Sequence, residues 1–208
     1  MNHQHRDLGA HEVMEAHEVL TCIIDGINAF ELYRPHVSDP DLAQILDKQV
    51  RFAHQEYQNL STYLNQHRGV STEIYRSRTG KQPLYGLRNP SPVSPAHEPG
   101  RFDDRDVSSA MLGLHKASAI LQMSASLECA DPNLHHMMIN GAVSCSEKAY
   151  ETFSYMNQKG MYQVPTLQDQ TQHTLLNTYH VPVSGVGLGS KAPAMPHETS
   201  SGGFGQPS

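Results

Sequence analysis

The chain carries 14 histidines among 208 residues. Imidazole is the commonest side-chain ligand for transition metals, so their placement relative to carboxylates comes first. His17, His54 and His115, together with Glu147, fall in stretches of helical periodicity but off the main seams, where such residues usually flank the core half-exposed; they could also converge on one ion. A four-helix bundle that holds two irons makes a stricter demand. It needs a Glu from each of two helices and a Glu-x-x-His from each of the other two, because positions i and i+3 share a helical face. Glu56 is followed three residues later by Asn59, Glu147 by Tyr150 and Glu151 by Ser154. Glu128 stands only at the end of its helical stretch. Most of that ligand set is missing. His3, His5 and the pair His135-His136 suit weak surface binding.

Other chemistries find no support. There is no Gly-x-Ser-x-Gly, no phosphate loop and no Gly-x-Gly-x-x-Gly between a strand and a helix. Gly185, Gly187 and Gly189 alternate inside a tail rather than at a helix start. Cys22, Cys129 and Cys145 are an odd, widely spaced set, which reads as reduced thiols, with Cys145 buried in a helical seam. We therefore assign no catalytic, cofactor-binding or metal-ligating residue, and expect no enzyme and no cofactor.

Four helices would have to position any such residues. Val13, Ala16, Leu20, Ile23, Ile27 and Phe30 alternate spacings of three and four, predicting a helix over 10–34 that Pro35 ends. Asp39 caps a second, with Pro40 at its first position. Its seam is Ala43, Leu46, Val50, Ala53, Tyr57, Leu60 and Leu64, and Gly69 closes it. A third starts near Asp103 or Asp104 and runs to about Ala130, with Val107, Met111, Leu114, Ser118, Leu121 and Ala125 inward. The fourth begins at Asp131-Pro132. Its seam is Leu134, Met138, Ala142, Cys145, Ala149, Thr152 and Met156, and Gly160 stops it.

The second and fourth helices match at a constant offset. Ser38-Asp39-Pro40-Asp41-Leu42 answers Ala130-Asp131-Pro132-Asn133-Leu134, and Tyr63-Leu64-Asn65-Gln66 answers Tyr155-Met156-Asn157-Gln158. This predicts a duplicated αα-hairpin, the first over 10–68 and the second over 103–160. Between them, 69–102 alternates glycine and proline. Each helix is about 35–40 Å long, so a connection of this length can return along the whole bundle. Hairpin, long crossover, hairpin is the ferritin-like form of an antiparallel four-helix bundle, an all-α fold. A flexible start over 1–9, a polar extension over 161–184 with one short helix within Thr166–Asn177, and a disordered tail over 185–208 complete the expectation.

Composition narrows the partners. A net charge of −6 argues against nucleic acid, which wants a basic face. No apolar run approaches the ~20 residues of a membrane span. The start, Met1-Asn2-His3-Gln4-His5-Arg6, lacks a signal-peptide pattern. Charged residues make up only 17% of the chain, so its surface must be largely uncharged and polar, with little repulsion between molecules.

Several stretches in order resemble one family. They are Leu114-His115-Lys116, Leu127-Glu128-Cys129-Ala130-Asp131-Pro132-Asn133-Leu134, Tyr155-Met156-Asn157-Gln158-Lys159-Gly160 and Tyr162-Gln163-Val164-Pro165. Over 103–165 the chain resembles the spore coat F family of endospore-forming bacteria. Gly9-Ala10-His11-Glu12-Val13 and Leu32-Tyr33-Arg34-Pro35-His36-Val37 look like the amino-terminal half of its longer members. The resemblance implies a non-catalytic, ferritin-like structural protein of the proteinaceous spore coat. It implies synthesis in the mother-cell cytoplasm and, as partners, other spore coat proteins and self-association. The alternative is a ferritin-like bundle that binds a partner or a metal, less so a degenerate di-metal oxidase. In a coat, Gln66, Gln158, Gln163, Gln168, Gln170 and Gln172, with Lys159 and Lys191, could serve transamidation, and Tyr162 and Tyr179 dityrosine links.

Overall fold

The structure, a computed structural model, describes residues 8–66, 72–95, 98 and 102–180. The expected tail over 185–208, Gly69 and almost all of the expected flexible start lie outside these residues. Four long helices form the body: α1 over Ala10–Tyr33, α2 over Pro40–Gln66, α3 over Asp104–Leu127 and α4 over Pro132–Gln158. A short helix, α5, spans Asp169–Leu176. It belongs to a second compact unit, Leu167–Ser208, whereas the four long helices belong to the first, Met1–Thr166.

Local signals set the helix ends. Asp103 accepts from the N–H groups of Arg105 and Asp106, and Asp131 from those of Asn133 and Leu134, so two carboxylates satisfy first-turn donors. Gly160 has φ +78°, and Met161 N–H donates to Met156 O at 2.8 Å. That is a Schellman closure, which needs a residue at ease in the left-handed region. The first helix ends at Tyr33, as expected just before Pro35, which enters a 3₁₀ turn, Arg34–His36, because a proline suits the first positions of a new turn. One end differs from expectation: the third helix stops at Leu127 rather than near Ala130.

The termini reveal the chain order. Glu12, near the start of α1, accepts from Asp131 N–H at 2.5 Å, and the Tyr63 hydroxyl near the end of α2 donates to Asp131 Oδ1 at 2.5 Å. At the opposite end Asp104 accepts from the N–H groups of Ser38 and Asp39 at 2.8 and 3.2 Å. There the Tyr155 hydroxyl faces the Asp39 carboxylate, which raises its pKa after burial has done so. Thus α1 runs up, α2 and α3 down, and α4 up, with the crossover climbing back between α2 and α3. Glu12 and Asp104, Asp39 and Asp131, and Tyr63 and Tyr155 are related by one sequence offset. Equivalent positions of the two hairpins thus meet at the two ends of the bundle.

The core has two apolar clusters. One gathers Phe30, Leu42, Leu46, Val107, Met111 and Met156 at the Asp39 end. The other gathers Ala16, Val19, Leu60, Leu134 and Met138 at the Asp131 end. The seams shift in α1, α2 and α3; in α2, Ala43, Ala53, Tyr57 and Leu64 are half-buried while Leu42, Gln49 and Tyr63 are buried. Val13 is exposed, and Glu12 takes its inward place because Gly9 N–H and Asp131 N–H satisfy its carboxylate. Leu114 and Leu121 are only half-buried, while His115 and Gln122 beside them are buried.

Candidate functional site

Between the apolar clusters lies a polar layer, built by α2, α3, α4 and the crossover. At its centre Lys148 of α4 is 2% exposed and its ammonium pairs with Glu56 of α2. The ammonium also stands 4.8 Å from the Phe52 ring centre and 5.7 Å from that of Tyr75. Burial pushes the Glu56 carboxyl up, and the Lys148 charge opposes that push. Glu56 and Lys148 occupy equivalent positions of the two hairpins, at the same offset as the end contacts. A strictly repeated hairpin would place like charges there, whereas this chain places opposite ones.

One turn along α4, Glu151 gathers four donors. Lys48 Nζ lies 2.8 Å away, Arg78 N–H 3.1 Å and Gln49 Nε2 3.3 Å, and the Tyr75 hydroxyl completes the set. Burial would raise the Glu151 carboxyl, but Lys48, Tyr75 and Arg78 together hold it below its usual range. Gln49 is wholly buried, and its Oε1 lies 2.7 Å from His115 Nε2. An amide oxygen only accepts, so the imidazole proton sits on Nε2. Burial, and then the Lys148 charge, depress His115 to about 3 and keep it neutral.

A second function of these groups is to hold the crossover. Along α4, Asn140 Nδ2 donates to Thr72 Oγ1 at 2.8 Å, and Ser144 Oγ accepts from Tyr75 N–H at 3.1 Å. Glu147 accepts from Ser77 N–H and hydroxyl at 3.0 and 2.6 Å, which holds its carboxyl low. Farther on, Asn157 makes a reciprocal pair with the Leu84 backbone, 2.7 and 2.9 Å. The contacts follow in sequence order, so the crossover runs parallel to α4 from end to end. Tyr75 is its main side-chain anchor, 2% exposed and edge-on to Phe52. Gly86, at φ +85°, turns the backbone so that its N–H reaches Val164 O at 2.8 Å.

The histidines do not gather. His17 and His54 are exposed, Glu147 is spent on Ser77, and His115, expected beside the core, lies inside it. His135 and His136 each turn Nδ1 to a backbone carbonyl, of Ser126 and Pro132. Among the described residues no three of His, Cys, Asp and Glu approach one point. Cys145 is buried and its thiol is pushed up to about 12; Cys129 is pushed up to about 11, also by burial first. Both are protonated at neutral pH and poor nucleophiles.

Sequence reasoning passed over Lys48, Gln49, Tyr75 and Lys148. One signal was available: Lys148 lies on the inward arc of α4 between Cys145 and Thr152, where only a partnered charge is tolerated. Of the residues named for cross-linking, Gln158 is held by Gln82 O, Gln163 by Arg88 N–H and Lys159 by Asp39. Gln66, Gln168, Gln170, Gln172, Tyr162 and Tyr179 are exposed. Lys191 lies outside the described residues. Among the described residues no helix is long and apolar enough to cross a membrane.

Residues 103–165 match the family model of the Coat F domain. The spore coat protein F-like protein YhcQ of Bacillus subtilis (strain 168) is 31% identical over 173 residues, covering 82% of this chain and 80% of that protein. A solved structure from Bacillus halodurans, of a protein ascribed to the spore coat, superposes with a TM-score of 0.60. The superposition covers 81% of this chain and 99% of that one, at 16% identity, and shows a shared fold.

Proposed function

The chain belongs to the coat F family, and from that premise we propose that it is a structural protein of the endospore coat. The observation that carries this reading is the match to a spore coat relative along 82% of the chain. The chemistry of the polar layer agrees. Its carboxylates are occupied by lysines and by crossover N–H groups, and its histidine is neutral and bonded to an amide. These are arrangements that hold a fold together. The weakly charged surface favours close packing against neighbours, namely other coat proteins and further copies of itself. On this reading the chain is made in the mother cell and acts without catalysis. Gln168, Gln170, Gln172 and Tyr179, all exposed, are the side chains best placed to be joined covalently to a neighbour.

The test is localisation. A tagged copy, expressed from its own promoter in a sporulating cell, is followed into washed spores. Recovery in the coat extract is the expected result. A tag that stays in the mother-cell cytoplasm and is lost on lysis would overturn the proposal.

A further inference from the structure

Beside the central ion pair, α2 and α4 stand apart and leave a cleft of about 280 Å³, roofed by Thr72 and Glu73 of the crossover. This is near the lower end of the range for small-molecule sites, about 300–1,000 Å³. Its inner wall is apolar, formed by Ile23, Leu60, Met137 and Met138. Gly141 makes room in it: a methyl there would stand 1.7 Å from Gln122 Oε1, so the buried Gln122 amide lies directly over the glycine. Among the described residues that line it, the charged ones are Glu56 and Glu73. Lys148 neutralises one of these two, and the cleft keeps a surplus negative charge.

Glu56 is only half satisfied. Its Oε2 holds Lys148, while its Oε1 is buried and has no hydrogen-bond partner among the described residues. An unmade hydrogen bond at a buried carboxylate oxygen is costly, and such a group marks a place for a donor. The carboxylate is one rigid plane, so with Oε2 on the lysine Oε1 is held unpaired beside the cleft that Glu56 lines.

We propose that this cleft binds a small organic monocation, a primary ammonium on a compact apolar body, with the ammonium donating to Glu56 Oε1 and the body against Leu60, Met137 and Met138. Glu73, exposed at the mouth, attracts the cation. The proposal stands on the cleft alone and does not depend on where in the sporulating cell the chain resides.

The probe is benzylamine, and the comparator is benzyl alcohol, of the same shape and no charge. Binding is read on the full chain by NMR of ¹³C-methyl methionine. Met137 and Met138 report on the cleft, and Met111 and Met156, in the distant cluster, serve as controls. Benzylamine should shift the first two signals saturably and bind at least about tenfold tighter than the alcohol, whose hydroxyl can donate to the same oxygen but brings no charge to the pair. Glu56→Gln should remove most of benzylamine's advantage over the alcohol. Because that change also strands Lys148, Glu73→Gln is the second variant. It lies on the surface and should weaken benzylamine severalfold while leaving the alcohol unchanged. The proposal fails if Met137 and Met138 show no saturable shift. It also fails if both compounds bind alike, or if Glu73→Gln leaves the preference for the cation intact.

Discussion

Replacing Lys148 by methionine leaves Glu56 inside the bundle without its cation. Methionine keeps most of the stem that packs beside Phe52, so the loss isolates the charge. The stranded carboxylate then has two states to choose from. Ionised and unpaired, it costs about 3–5 kcal/mol. Protonated, it costs the work of raising its pKa from the usual 4.5 to the working pH. At pH 7 that is about 3.4 kcal/mol, at 1.36 kcal/mol for each pH step. The cheaper state wins, so the expected loss is about 3 kcal/mol at pH 7. The folded variant holds a proton that the unfolded chain lacks between these values, so the loss shrinks by about 1.4 kcal/mol per pH step towards pH 5. Urea unfolding followed by far-ultraviolet circular dichroism at several pH values measures it. The double variant Glu56→Leu with Lys148→Met removes both charges. It should return to within about 1 kcal/mol of the parent or exceed it. A loss that is independent of pH, and a double variant equal to the sum of the two singles, would refute a buried and mutually dependent pair.

Three further expectations follow from the geometry. Tyr75→Phe removes one donor from the Glu151 carboxylate and should cost about 1.5–3 kcal/mol in urea unfolding, while Tyr75→Ala opens a cavity and should cost about 3–5. Glu147 and Glu151 have depressed carboxyl pKa values, so their stabilising effect is present above about pH 4.5 and lost as the pH falls through the depressed values. Acid should release the crossover before the helices unfold, seen as pepsin cutting between Leu84 and Leu87 while helical dichroism persists. Finally, the contacts at the two ends are unequal. Tyr63 hydrogen-bonds Asp131, whereas the Tyr155 hydroxyl makes no hydrogen bond of good geometry among the described residues. Tyr63→Phe should therefore lower the denaturation midpoint clearly, by about 1.5–3 kcal/mol in stability, and Tyr155→Phe by under about 1.

The helices were legible because their causes are local. A seam repeats every three or four residues, an aspartate caps the donors two and three residues ahead, and Gly160 closes a turn within five residues of its partner carbonyl. The match between α2 and α4 was equally legible, since a constant offset needs no contact to be seen. The length of the connection foretold its path along the bundle, because a chain leaving one end must reach the other. The lack of Glu-x-x-His pairs was likewise a matter of spacing within one helix.

What spacing does not contain is which polar side chains go inside. Val13 looked inward, yet Glu12 is buried, because a backbone N–H of Asp131 waits for it across the bundle. His115 looked like a rim residue and lies in the core, because the Gln49 amide meets it there. Lys148 and Glu56 are far apart in sequence, and each alone would be excluded from a bundle interior. Burial of a charge is decided by a partner that only the tertiary structure supplies, since desolvation is offset only by an opposite charge at contact. The sequence by itself thus determined the helices, their ends and their twofold plan. The packing of the two hairpins and the crossover decided the polar layer, its neutral histidine and the cleft beside it.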